Sequence, residues 1–185
     1  IFKTYNRWSK NSKFMNIFKL FSKHADKEWI FIDGSHVRAH QHAAGIKNQE
    51  ITKSIGGNSS KIHLAIDSDG NPIEFIISDG TSHDIKIAPA LLSKLDLTES
   101  EILCADKGYD SDNFRNQIES TKTKPNIPRK SNTKSSNEHM DWYLYKIRHL
   151  VENAFCRLKQ FRGIATRYDK LKRNYQSAVA LACIF

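Results

Sequence analysis

Cysteine is scarce in this chain and scattered where it occurs. Cys104, Cys156 and Cys183 form no CxxC pair, and an odd count leaves one without a partner. This pattern argues against a disulfide framework or a cysteine zinc site, and it fits a reducing cytoplasm. Each cysteine reads as a small buried hydrophobe rather than a nucleophile. Long apolar runs are also missing: nothing approaches the ~18 residues of a membrane span. The opening IFKTYNRWSK has neither the apolar segment nor the cleavage site of a secretory signal. It begins with Ile rather than Met, as a fragment or a second-frame product would. The glycines of SIGGNSS lack phosphate-loop spacing before Lys-Ser/Thr and read as a flexible loop. Acids are few, 20 Asp and Glu against 29 Lys and Arg, for a net charge of +9. That excess favours a polyanion, most commonly nucleic acid, with a membrane surface or plain solubility as alternatives. The cations cluster between Lys122 and Lys134 and again between Arg157 and Arg173.

What is present suits one α/β domain. The 185 residues, 39% of them hydrophobic, can bury a sizeable core. Phe14, Ile17, Phe18 and Phe21 fall at helical intervals, predicting an amphipathic helix over 11–23. WIFID (29–33) reads as a short strand, and 34–60 as a mostly polar loop. KIHLAID (61–67) and PIEFIIS (72–78) flank the turn SDGN, a hairpin signal. A helix is expected over 84–95, weakened by Pro89. EILCAD (101–106) reads as a central strand buried on both faces. A helix capped by Asp110 and Ser111 follows, then a short strand within 124–130 and a polar loop over 131–139. The last long helix is expected over 139–160, with Leu144, Ile147, Val151, Ala154, Phe155 and Leu158 on its apolar stripe.

Three carboxylates stand out. Two apolar strands run directly into an aspartate, Asp33 and Asp106, where strand ends border a crevice. Taken singly, each is more plainly a cap or turn residue. Glu152 is the third. At ~100° per residue, Tyr145, Arg148, Glu152 and Lys159 share an arc of roughly 60° that flanks the apolar stripe. A solvated Arg–Glu pair at i, i+4 explains that spacing as readily. Together the three suit metal-assisted phosphodiester chemistry, in which two divalent cations serve the attacking and leaving oxygens. Oxygen ligands suit Mg²⁺, and nearby Arg and Lys would hold phosphates.

Tyr145-x2-Arg148-x3-Glu152-x6-Lys159 resembles the Y-R-E-K signature of insertion-sequence DDE transposases, in the group related to insertion sequence family 5. IDGSHVRAHQHAAG (32–45) and ADKGYDSDNFR (105–115) resemble that family's two aspartate segments. GGNSSKIHLAIDSDGNPIEFIISDGTSHD (56–84) resembles the hairpin between them, and NIPRKSN (126–132) the basic loop before the last helix. The resemblance covers about 30–185. It implies a ribonuclease H-like mixed sheet of antiparallel hairpins and parallel strands flanked by helices. The catalytic domain would occupy 29–185, and 1–28 would be the tail of an N-terminal helical DNA-binding region.

By the same resemblance Asp33, Asp106 and Glu152 are the catalytic metal ligands for two Mg²⁺, replaceable by Mn²⁺. Tyr145, Arg148 and Lys159 contact the element's end. The implied reaction is cleavage and strand transfer at terminal inverted repeats into target DNA, by a homo-oligomer on double-stranded DNA in the bacterial nucleoid, with no membrane involved. Lys107, Arg38 and Arg162 are further candidate DNA contacts, with solvated charge as the plain alternative. A non-catalytic DNA-binding remnant and a nuclease without strand transfer are the competing functions. His36, His40 and His42 suggest zinc, but no fourth ligand is evident and a structural or DNA-contacting role is preferred. Asp84 is expected to cap a helix, with support of the metal site as the alternative, and Trp142 and Tyr143 to pack in a core or loop.

Overall fold

A mixed sheet forms the middle layer of the computed structural model, which describes residues 1–131 and 136–185. Two helices come first, α1 (Phe2–Lys10) and α2 (Lys13–Phe21), and then strand β1 (Trp29–Ala39). A short strand β2 (Thr52–Ser54) turns into β3 (Gly57–Ile66), and β3 into β4 (Pro72–Asp79). Helix α3 (Asp84–Leu92), strand β5 (Ile102–Cys104), helix α4 (Asp112–Glu119) and strand β6 (Lys124–Asn126) follow. The chain ends with α5 (Trp142–Ile147), α6 (His149–Gln160), α7 (Arg162–Ala165), β7 (Thr166–Arg167) and α8 (Lys172–Ala182). No helix among the described residues is long and apolar enough to cross a membrane.

The sheet order is β2-β3-β1-β5-β6, with β4 also on β3 and β7 also on β1. β1–β3 and β3–β4 are antiparallel, whereas β1–β5 and β5–β6 are parallel. The hairpin expected around SDGN is thus present, and so is the central strand: Leu103 and Cys104 are fully buried. One face of the sheet packs Phe31, Val37, Ile62, Leu64 and Phe75 against Phe18 of α2, Val151 and Phe155 of α6 and Val179 of α8. The other packs Ile30, Ile32, Ala65 and Leu103 against Leu91 of α3 and Phe114 and Ile118 of α4. Each such side chain, fully buried, contributes about 1.5–3 kcal/mol.

Four differences from the sequence reading have physical causes. First, β1 does not stop at Asp33. Its backbone stays in register with β3 out to Arg38↔Ser59, so ladder hydrogen bonds carry the strand past the end of its apolar pattern. The stretch 34–60, expected as a loop, holds the rest of β1, β2 and the start of β3. Second, the helix expected over 139–160 is two helices that meet at Arg148. The Arg148 N–H donates to Tyr145 O, and Val151 N–H to Arg148 O, in the tighter three-residue pattern. Third, Asp110 does not cap α4. Its carboxylate accepts from Arg115 and from the Lys130 backbone, and it also meets Arg129. Fourth, α3 ends at Leu92 rather than near 95, because the Lys94 and Leu95 N–H groups donate to Leu91 O and Leu92 O in the three-residue pattern; Pro89 lies within its span, as expected.

Burial also reassigns single residues. Trp142 and Tyr143 are exposed rather than packed, and so is Cys156. Arg167, one of the C-terminal cations, is completely buried. Lys134 and part of the polar loop over 131–139 lie outside the described residues.

Candidate functional site

β1 has β3 along one side for most of its length. On its other side β5 pairs only with Trp29–Phe31, and β7 only with Arg38 and Ala39. Between them, among the described residues, 32–37 has no strand on that side. This open stretch of a central strand is where Asp33 sits, directly after the buried run of Ile30, Phe31 and Ile32. Asp106 follows the end of β5, the neighbouring parallel strand. It caps a single 3₁₀ turn, accepting from Gly108 N–H at 2.7 Å.

Alternation along the strand divides the surroundings in two. Asp33 and Ser35 face α5 and α6. Arg148, at the junction of those helices, donates from Nη1 to Asp33 Oδ2 at 2.8 Å and from Nη2 to Glu152 Oε1 at 3.0 Å. One guanidinium therefore links two of the three carboxylates. Lys159, at the far end of α6, donates to Ser35 Oγ at 2.7 Å. The Tyr145 ring lies 5.7 Å from the Arg148 guanidinium, with the Trp142 edge against it. The helix break at Arg148 lets its guanidinium reach Asp33 in the open stretch of β1.

Burial raises the pKa of Asp33 above its ordinary value. Its hydrogen bond from Gly34 N–H and the Arg148 charge oppose the rise, while the Asp106 charge adds to it. The two aspartates are therefore close enough to repel. Buried Tyr109 senses the same field. Burial and the charges of Asp84, Asp33 and Asp106 all push its hydroxyl upward, and that hydroxyl has no hydrogen-bond partner.

Gly34 and His36 face the opposite way, toward α3, and are paired across the ladder with His63 and Lys61. Lys61 Nζ donates to Asp84 Oδ2 at 2.7 Å. His63 Nδ1 stands 3.2 Å from Asp84 Oδ1, and its Nε2 lies 2.8 Å from Ser78 Oγ. Asp84 makes no cap hydrogen bond to α3, contrary to the capping expectation. Burial works against its charge, but His63 and Lys61 outweigh burial and hold its carboxyl down at about 2. A side chain on Gly34 has no room: its Cβ would overlap Asp84 Oδ1 and lie 2.7 Å from Lys61 Cε.

The structure thus joins Tyr145, Arg148, Glu152 and Asp33 directly, with Lys159 bonded to Ser35 two residues along the same strand and Asp106 just past the end of the next. It does not gather all the candidates. Among the described residues, no three His, Cys, Asp or Glu side chains converge on one point, the three histidines of 36–42 included. Lys107 and Arg38 are exposed near their aspartates' strands, and Arg162 lies farther away, bonded to the Tyr168 hydroxyl at 3.3 Å. Lys61, His63 and Ser78 were missed from the sequence. Their signal was present: Lys61 and His63 are polar, two residues apart, in an otherwise apolar buried strand.

Comparison with known proteins places this geometry. A family model described as the transposase DDE domain matches residues 24–185. A protein of Brucella ovis, provisionally assigned as the transposase for insertion sequence element IS6501, is 35% identical over 125 residues. That match covers 68% of this chain and 95% of the relative. The piggyBac transposase, solved in a synaptic complex with hairpin DNA, superposes with a TM-score of 0.55 at 14% identity, covering 92% of this chain. The match takes in 49% of the piggyBac chain, so this chain spans about half of that transposase. The catalytic core of BIV integrase gives 0.46 at 12% identity, over 85% of this chain and 82% of that one. The mixed sheet has the ribonuclease H-like architecture expected of such cores, and the chain belongs to the DDE-domain transposases of insertion sequences.

Proposed function

We propose that this chain cleaves DNA at the ends of an insertion sequence and joins the freed strands to a target, with Asp33, Asp106 and Glu152 as its catalytic carboxylates. The observation that carries this reading is Asp33 in the open stretch of β1 with Asp106 just past the end of the adjacent strand β5, and Glu152 tied to Asp33 through Arg148. The donors fit hard divalent cations in kind, because all three supply carboxylate oxygens and no sulfur or imidazole intervenes. Magnesium, or manganese in its place, would supply charge neutralisation at the attacking and leaving oxygens of the phosphodiester.

The residues' own tasks follow from their places. Repulsion between Asp33 and Asp106 makes the pair attractive to positive charge. Arg148 supplies part of that charge in the free protein, so Glu152 can share a ligand with Asp33 only when the guanidinium moves aside. Once released, Arg148 has a phosphate within reach as a new partner. Tyr145 of α5 and Lys159 of α6 stand on either side of Glu152 and would hold the DNA backbone beside Asp33. The partner is double-stranded DNA, and two ends would be served by a homo-oligomer. Residues 1–28 would belong to a helical DNA-binding region.

The test is Mg²⁺- or Mn²⁺-dependent nicking and joining of a duplex carrying the sequences that flank the coding frame. Activity in the parent that is lost in Asp33→Asn, Asp106→Asn and Glu152→Gln supports the proposal. Equal activity in all three variants sinks it. Salt-dependent DNA binding without nicking would identify a binding-only remnant instead.

A further inference from the structure

At the far end of β1, away from the carboxylates, the chain builds a second chemical surface. His40 follows the strand, and its backbone N–H donates to Arg167 O at 2.9 Å. Its ring lies 5.1 Å from Tyr168, inclined by 32°, and 5.0 Å from His42, inclined by 42°. Arg162 approaches Tyr168 from α7, with its guanidinium 5.7 Å from the ring. Tyr168 remains 44% exposed and neighbouring Phe161 47% exposed.

The base under this ladder of rings is rigid. Arg167 sits wholly inside, its Nη1 donating to Ser60 Oγ at 2.8 Å and its guanidinium 5.0 Å from the Tyr175 ring. Tilted aromatic rings and a guanidinium on a fixed support, left partly uncovered, offer π faces to a ligand. Asp169, the acid next in sequence, is half-buried, and the exposed charges beside the ring are those of Arg162 and Lys170. Arg148 and Lys159 carry positive charge along the α6 side of β1 from Asp33 to Ser35, and exposed Arg38, on the opposite side of the strand, lies two residues before His40.

We infer that His40, Tyr168 and Arg162 form a stacking subsite for an unpaired nucleobase of the DNA that occupies the carboxylate site. Any base offers a π face to such planes, and arginine adds cation–π attraction, so the subsite takes bases without reading their identity. Asp33 and His40 are seven positions apart, and at ~3.3 Å per residue that interval spans about seven stacked nucleotides at ~3.4 Å. The stacked base therefore lies well away from the scissile phosphate, and the subsite prefers DNA whose strands are parted on that side. This inference rests on the DNA-cleaving function proposed above.

The experiment compares, by fluorescence anisotropy, binding of the whole chain to a blunt duplex and to the same duplex with a single-stranded extension. The parent is expected to favour the extended DNA by roughly tenfold. Tyr168→Ala should abolish that ratio and Tyr168→Phe should keep it, because the ring stacks without its hydroxyl. A 2-aminopurine placed along the extension should be quenched at one or two positions on binding to the parent, a stacking signature that needs no variant. An unchanged ratio in Tyr168→Ala, or no quenching at any position, overturns the subsite. A preference lost in Arg148→Ala and kept in Tyr168→Ala moves stacking to the signature helix and overturns it too. Failure of the parent to bind either DNA overturns the DNA-directed function itself, a different and distinguishable result.

Discussion

The two sides of β1 at residues 33 and 34 are built on opposite plans. Toward α3, Asp84, Lys61, His63 and Ser78 form a polar network with Lys61, His63 and Ser78 almost wholly buried, pressed so closely on Gly34 that no side chain fits there. Toward α6, Asp33 is held by one guanidinium shared with an exposed Glu152, and burial leaves its charge disfavoured despite that partner. Asp84 is stabilised as an anion and Asp33 is not. Carboxylates packed on the two faces of one strand thus differ in purpose: one fixes the strand, and the other is kept short of partners. A site that must take charge from a ligand needs that second state, and the first keeps it from collapsing.

Exchanging the two carboxylates should break the comparison most sharply. Asp33→Asn is expected to lower metal-dependent nicking by at least ~100-fold, the scale of losing a group that acts mainly in the transition state. Its stability should stay within about 0.5 kcal/mol of the parent, since the exchange removes a poorly satisfied charge. Asp84→Asn is expected to do the reverse in stability, costing about 1–3 kcal/mol by leaving Lys61 without its anion. Urea denaturation beside the nicking assay reads both. Equal stability losses in the two variants would erase the distinction.

Next in size is the wall between the sides. Gly34→Ala should cost about 1–3 kcal/mol, because the network and the strand must move apart. Gly163→Ala is the control: a Cβ there meets nothing within 4 Å, so the denaturation midpoint should hardly change. If both alanines are tolerated equally, the close approach at Gly34 is not enforced.

How much of this was legible in the sequence differs between the two sides. Asp33 and Asp106 could be found because apolar strands run straight into them, and Glu152 because its neighbours recur at helical spacing. The Arg148 bridge could not: a continuous helix was the natural reading, and the break that aims the guanidinium arises from three-residue hydrogen bonds with no Gly or Pro to announce them. The buried network was harder still. His63 and Ser78 come together only through the pairing of β3 with β4, and Asp84 joins them from α3. Its carboxylate looked like a helix cap because local sequence cannot show a partner that arrives from across a sheet. The same holds for β1 beyond Asp33, whose strand character comes from the β3 ladder rather than from its own side chains.

The finest test of the comparison is in acid. The Asp84 carboxyl sits at about 2 in the folded chain, below the ~3.9 of an unfolded aspartate. A depressed carboxyl binds its proton more weakly when folded, so its contribution is complete above the unfolded value and fades as the pH falls from about 4 toward 2. The parent should therefore lose more stability than Asp84→Asn across that window, by about 1 kcal/mol once the partial exposure of the carboxylate is allowed for. Glu152→Gln should show almost no difference from the parent there, because its contact with Arg148 is open to solvent and such pairs contribute little. Chemical denaturation at a series of pH values separates the three curves. A parent curve that runs parallel to Asp84→Asn would mean the network holds Gly34 by packing alone, with no net work done by its charge.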